Sequence, residues 1–376
     1  MALFDENASL GPASRAERRT PRRRGARIGY AAMAIALVAL AAMSFLPSGS
    51  VIQQPGPVYD TLGTAETADG EQVPLIQVTG AETYETEGQL DLTTVQVVGN
   101  RQQMPSWLEL VGAWFDPSRA VVPVDSVFPA GQTTEQRSEQ NAAMMVDSQQ
   151  EATAAALTEL GYDVDPRVRV YAVPEESPAE GILQTDDIIL TADGIPVDLV
   201  DDLREVIQDG DGDVVAIEVE RDGEPVEVEV EPVYDEASES WLVGVSIIHD
   251  YTFPIDVTIE LDNVGGPSAG LMFALGIVDT LTPEEVTGGE HVAGTGTISA
   301  DGEVGPIGGI RQKLYGARAD GATWFLAPSL NCDEVAGHVP DGMDVVEVET
   351  LDDAVAALDV IASGGDTDAL PSCEAA

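Results

Sequence analysis

Lys313 is the only lysine among the 376 residues, and the chain otherwise carries its positive charge on arginine. Arginine stays protonated at any working pH and cannot serve as a base near neutrality. Lysine can, provided burial lowers its pKa from about 10.4 by about three units. The sequence Gly308-Gly309-Ile310-Arg311-Gln312-Lys313-Leu314 reads as a loop running into a helix, with apolar neighbours around the lysine. A base needs a nucleophile. The segment Asp262-Asn263-Val264-Gly265-Gly266-Pro267-Ser268-Ala269-Gly270 lies between a strand-like stretch at 255–261 and a helical stretch at 271–281. Ser268 therefore falls at or near a helix N-terminus, where free backbone N–H groups and the helix dipole favour developing negative charge. The flanking glycines permit a sharp turn and close approach of substrate. These are the requirements of an activated serine beside an oxyanion hole, with Gly266 and Ala269 as supporting positions and Pro267 lacking an N–H. The competing reading of the same segment is a helix N-cap serine, with Asp262 as a turn or cap residue.

The elements that must hold these residues follow from periodicity. Residues 1–27 read as a basic tail, 28–46 as an apolar helix and 47–74 as a linker rich in Pro, Gly, Thr and acids. Strand signals occupy 75–78 and 90–98, and Trp107 and Trp114 bracket an apolar stretch suited to a short helix. From 134 to 160 the pattern turns helical, with apolar positions at Ala143, Met144, Val146, Ala152, Ala155, Ala156 and Leu160, stopped by Gly161. Residues 166–237 form a separate unit. It has a strand through Val168 and Val170, the stretch "SPAEGILQTDDIILTADGIPV", a helix over 200–207, and a hairpin turning at Asp222-Gly223. Strands and helices alternate from 241 to 358, which predicts an α/β layer arrangement there within an α+β chain.

These residues resemble two families. The 166–237 unit is similar to a PDZ domain of the bacterial protease-associated kind, departing at Thr185, where such domains carry glycine. "GGPSAG" at 265–270, followed by "TGTISADGEVGPIGGIRQKLYGARADGA" at 295–322, resembles the proteolytic domain of Lon-type proteases. The helical "MMVDSQQEATAAAL" extends that likeness upstream. The resemblance implies a Ser–Lys dyad of Ser268 and Lys313, supported by Thr295. It also implies a fold in which a Lon-type proteolytic domain, 75–165 and 238–362, carries an inserted PDZ-like domain, with a C-terminal tail at 363–376. With the preceding helix, the whole resembles membrane-bound PDZ-containing Lon-like proteases, and family resemblance implies homo-oligomers, hexamers in particular.

Charge and composition bound the partners. The net charge is -50, while Arg15, Arg18, Arg19, Arg22, Arg23, Arg24 and Arg27 precede the apolar run. A body so acidic repels nucleic acid. The run 28–46 covers about 28 Å, close to a bilayer's hydrocarbon thickness. Arginines before it predict a single-pass anchor with a cytoplasmic N-terminus and an extracytoplasmic remainder, a cleaved signal peptide being the alternative. Cys332 and Cys373, on that outer side, predict a disulfide closing a loop of about 40 residues and contributing about 4 kcal/mol. His249, His291 and His338 are scattered, so no metal and no cofactor is expected. No G-x-x-x-x-G-K-[ST] occurs, since the sole lysine lies elsewhere, so ATP is not expected either. Protein or peptide substrates are. Two other readings remain: a membrane-tethered PDZ adaptor with an inert protease-like domain, and a Ser-His-Asp hydrolase in which Gly266-Pro267-Ser268-Ala269-Gly270 is a G-x-S-x-G elbow served by His291 or His338.

Overall fold

The structure is a computed structural model and describes residues 27–35, 37–38, 48–66, 70–84, 86–129, 134–175, 177–236, 238–261 and 264–373. Its strands, in chain order, include β1 (Ser50–Asp60), β2 (Gln89–Val98), β3 (Ala120–Pro123), β4 (Asp165–Ala172), β5 (Ile188–Ala192), β6 (Val215–Arg221), β7 (Glu224–Val230), β8 (Ser246–Thr252), β9 (His291–Gly294), β10 (Trp324–Pro328) and β11 (Asp344–Val348). The principal helices are α1 (Thr134–Glu159), α2 (Val200–Asp209), α3 (Gly270–Leu281), α4 (Ile310–Asp320) and α5 (Leu351–Ala362).

The main sheet has the order β11-β10-β9-β2-β1-β3. Its pairs from β2 through β11 are parallel, while β1 runs antiparallel to both β2 and β3. Both faces are covered, so the strands read as apolar runs whose alternate residues enter different cores. In β9 and β10, Val292 and Leu326 join the core built with α1, α3 and α5. Ala293, Phe325 and Ala327 join the one built with α4. Helix α3 is buried from Gly270 to Asp279, as its apolar composition on every face requires.

β1 overturns the expected linker at 47–74. Its Pro55-Gly56-Pro57 looks like a loop, but the register with β2 shifts between Pro55 and Val58. A β-bulge absorbs the residues that cannot pair, and the strand continues on both sides of it. Val51 and Ile52 are buried. The helical stripe of α1 is also rephased: Met145 is buried, whereas Met144 and Val146 are exposed.

The PDZ-like unit has its own sheet, β7-β6-β5-β4-β8, and its own core from Val168 to Val243, with Val245 and Ile247 packed against it. It thus runs past the predicted limit at 237. β8 pairs with β4 across some eighty residues of chain, and no local pattern announces so distant a partner. The strand Asp256–Ile259 then returns the chain to the larger unit by pairing with Ile76–Thr79.

Cys332 and Cys373 are joined by a disulfide, which fastens the C-terminal segment to the core beneath α4. At the other end, residues 27–35 and 37–38 are helical. Ile28, Tyr30, Met33, Ile35, Leu37 and Val38 are exposed there. Among the described residues no helix is long and apolar enough to cross a membrane. The rest of the predicted span 28–46, and the basic tail before Arg27, lie outside the described residues.

Candidate active site

Three pieces of backbone converge on Ser268: the turn before α3, the end of β9, and the first turn of α4. Ser268 precedes the N-cap residue Ala269, so it sits at the start of the buried helix. Helix α1 braces this turn. The Gly266 N–H donates to Asn141 O at 3.0 Å, and Ser148 Oγ donates to Pro267 O at 3.0 Å. Gly270 permits that approach, since a Cβ there would lie 2.9 Å from Ile298 Cγ2 and 3.0 Å from Ser148 Oγ. On the far side, Gly296 N–H donates to Ser268 O at 3.0 Å and Leu271 N–H donates to Gly296 O at 3.2 Å.

Thr295 follows β9 directly and is wholly buried. Its Oγ1 donates to Ser268 O at 2.8 Å. Lys313 lies one turn into α4, whose N-cap, Gly309, adopts a left-handed φ of 73°. A Cβ at Gly309 would also lie 2.8 Å from Val95 Cγ2, so glycine is needed for both conformation and space. Lys313 Nζ contacts Ser268 Oγ at 2.8 Å and Thr295 Oγ1 at 2.7 Å.

Lys313 is 2% exposed. Burial governs its charge and lowers the pKa to about 7. An ordinary lysine is neutral in about one molecule in 2500 at pH 7. At a pKa of about 7, about half of the molecules carry the neutral amine. Hydrogen-bond directions then fix its lone pair. The Thr295 hydroxyl proton is committed to Ser268 O, so its oxygen accepts from Lys313 and one amine N–H is used there. The lone pair is left for the Ser268 O–H.

The amides of Ser268 and Ala269 have no backbone acceptor among the described residues. They are the free donors at this helix start, whereas Gly266's amide is spent on Asn141. Ala269 is buried and holds the turn. Asp262 lies outside the described residues.

The histidines are elsewhere. His291 Nε2 meets Asp91 Oδ2 at 2.5 Å, at the start of β9 and about 13 Å along the strand from Thr295. His338 Nδ1 contacts Ala336 O, and His249 pairs with Glu151. Ser268 thus has an amine and no imidazole as its partner, against the G-x-S-x-G hydrolase reading. Asp91, His291 and Asp320 place ligand atoms within 4.8 Å of one another, so among the described residues they are the group that could hold a cation.

Asn141 and Ser148 escaped the sequence reading. Ser148 is a buried polar residue on the helical face of Met145, Ala152, Ala155 and Ala156, and that interruption of an apolar stripe was the available signal.

Comparison with known proteins matches two regions of the chain. Residues 260–360 match the family model for the Lon protease (S16) C-terminal proteolytic domain, and residues 142–231 match that for the PDZ domain. The chain thus carries one region matching a Lon-type proteolytic domain and one matching a PDZ domain, within a mixed α+β fold. It is 37% identical over 93 residues to the Lon protease of Clostridioides difficile (strain 630), covering 24% of this chain and 12% of that one. To Lon protease 2 of Herpetosiphon aurantiacus it is 37% identical over 108 residues, covering 27% and 13%. The match thus spans about an eighth of the length of these relatives. Among solved structures, it is similar to the PDZ domain of the SdrC-like protein from Listeria monocytogenes, with 20% identity and a TM-score of 0.20. That match covers 21% of this chain and 85% of that one. A solution structure from Geobacillus thermodenitrificans matches with 26% identity and a TM-score of 0.20, covering 21% and 94%. The PDZ model begins within α1, although α1 packs on α3 of the larger unit.

Proposed function

We propose that this chain is an ATP-independent serine endopeptidase with a Ser268–Lys313 dyad, hydrolysing extracytoplasmic proteins or peptides engaged by its PDZ domain. One observation carries the reading: a buried lysine, its pKa lowered to about 7, with Nζ 2.8 Å from Ser268 Oγ. Neutral Lys313 takes the Ser268 hydroxyl proton as Oγ bonds to the substrate carbonyl carbon. The amides of Ser268 and Ala269 hold the oxyanion. The Lys313 ammonium then protonates the leaving nitrogen, the C–N bond breaks and an acyl-enzyme remains. Lys313 next deprotonates a water that attacks the ester, and Ser268 regains its proton as Oγ leaves. Thr295 holds both partners in register.

The absence of a G-x-x-x-x-G-K-[ST] motif supports ATP independence. The basic and apolar sequence at 15–46 supports a membrane anchor with the proteolytic domain outside, and a disulfide suits an oxidising compartment. Homo-oligomerisation, as a hexamer, rests on family resemblance.

The pH profile tests the base directly. Protonated Lys313 is inactive, so kcat/KM on a fluorogenic peptide should rise about tenfold per pH unit on the acid side and bend at about pH 7. An acid limb that keeps rising towards pH 10, or none above pH 5, contradicts Lys313 as base.

A further inference from the structure

Helix α1 does more than brace the nucleophile turn. On the face beside Ser148 it lines a cavity of about 1040 Å³ that also involves α2, β8 and the turn at 299–303. Glu151 stands in its wall, 8% exposed. Its Oε1 accepts from Tyr251 Oη at 2.8 Å and pairs with His249 Nδ1 at 2.7 Å. Its Oε2 accepts from Ala300 N at 2.6 Å. His249 and Tyr251 belong to β8, the edge strand of the PDZ sheet. Ala300 follows Ile298, the residue packed against Gly270. His249 Nε2 in turn accepts from Val200 N, the first residue of α2, at 3.4 Å.

We infer that Glu151 is a positioning residue that ties the edge strand of the PDZ domain to the nucleophile turn, and that a proton on His249 sets the strength of the tie. Resting on the reading of Ser268 as nucleophile, it adds a way for the PDZ domain to reach that residue. The route is short. Glu151 and Ser148 lie three residues apart on α1, so a displacement of β8 reaches Pro267 through one turn of helix. A peptide strand added to the free side of β8 would border these groups.

The chemistry of His249 makes the tie proton-dependent. Neutral, its Nδ1–H donates to Glu151 while Nε2 accepts from Val200. Protonated, it forms an ion pair with Glu151, and Nε2–H no longer accepts. The proton therefore tightens the contact to α1 and ends the one to α2. The groups facing His249 are Glu151 and Asp147 from α1 and Asp201 from α2. Asp301, from the 299–303 turn, faces Tyr251. Arg204 is paired with Asp201, and Arg169 with Asp186 and Asp250. The hydrogen bond to Glu151 raises the His249 pKa above its usual value. The charged tie is thus complete below about 6.5 and is lost as pH rises through the raised value.

The test uses the full-length chain in detergent and the rate of Ser268 labelling by a fluorophosphonate, followed by intact mass from pH 6 to 9. His249→Asn keeps an N–H donor for Glu151 but cannot titrate, and Glu151→Gln keeps the acceptor but not the charge. Taking the ratio of wild type to variant at each pH cancels the titration of Lys313. Each variant should label about fivefold more slowly than wild type at pH 6, the difference between a charge-assisted and a neutral hydrogen bond, and converge with it by pH 9. A ratio of one throughout, or a deficit independent of pH, overturns the tie. Should Glu151→Gln not fold, His249→Asn decides. Wild type that does not label at all contradicts the nucleophile instead. The tie is then read from the His249 ring titration by NMR, which should move down in Glu151→Gln and overturns the tie if it stays.

Discussion

Lys313→Met is expected to lower kcat/KM by about 10⁴-fold or more while leaving the fold intact, since members of a catalytic unit fail together when one is removed. Methionine has nearly the length of lysine and no charge to bury. Lys313 is 2% exposed, so a side chain of nearly the same length removes the base without opening a cavity. Thermal unfolding should be unchanged or higher, because a desolvated amine is costly to hold. Lys313→Arg should be equally inactive, for a guanidinium cannot give up its proton, and less stable, for it buries a fixed charge. The measurement is kcat/KM on a fluorogenic peptide beside a melting curve. Activity within tenfold of wild type in Lys313→Met would remove the dyad from the account.

Thr295→Val should lower kcat by about 10²-fold with little change in KM. Valine keeps the shape and removes the hydroxyl that donates to Ser268 O and accepts from Lys313 Nζ. Ser268 O retains the Gly296 amide, so the turn survives. Lys313 loses the acceptor that aims its lone pair, and the amine becomes free to rotate away from Ser268. The stability cost is about 1–3 kcal/mol, the range for one buried polar group left without its partner. Thr295→Ser restores the hydroxyl and should recover most of kcat. Wild-type kcat in Thr295→Val would show that the hydroxyl does not position the base.

The site was legible because its chemistry sits in short motifs with unusual composition. A sole lysine, and a serine framed by glycine and proline before an apolar helix, are local signals, and α3 and α4 begin where those signals put them. β1 was not legible: Pro55-Gly56-Pro57 imitates a loop, and only pairing with β2, thirty residues on, makes it a strand. The same holds for β8. Its partner β4 is distant in sequence, so its place in the PDZ sheet cannot be seen in its own residues. Ser148 and Glu151 fell between these cases. Each is a polar residue on a helix, and each acquires a role only from what the neighbouring unit places against it.

The central claim is that Ser268 cleaves peptide bonds. The most direct measurement is cleavage of a peptide library by the purified chain at pH 8 without ATP, with Ser268→Ala as the blank. The account predicts new internal cleavage products from wild type, no ATP requirement, and none from Ser268→Ala. Equal product from both proteins, or no cleavage by a wild type that is folded, would contradict it.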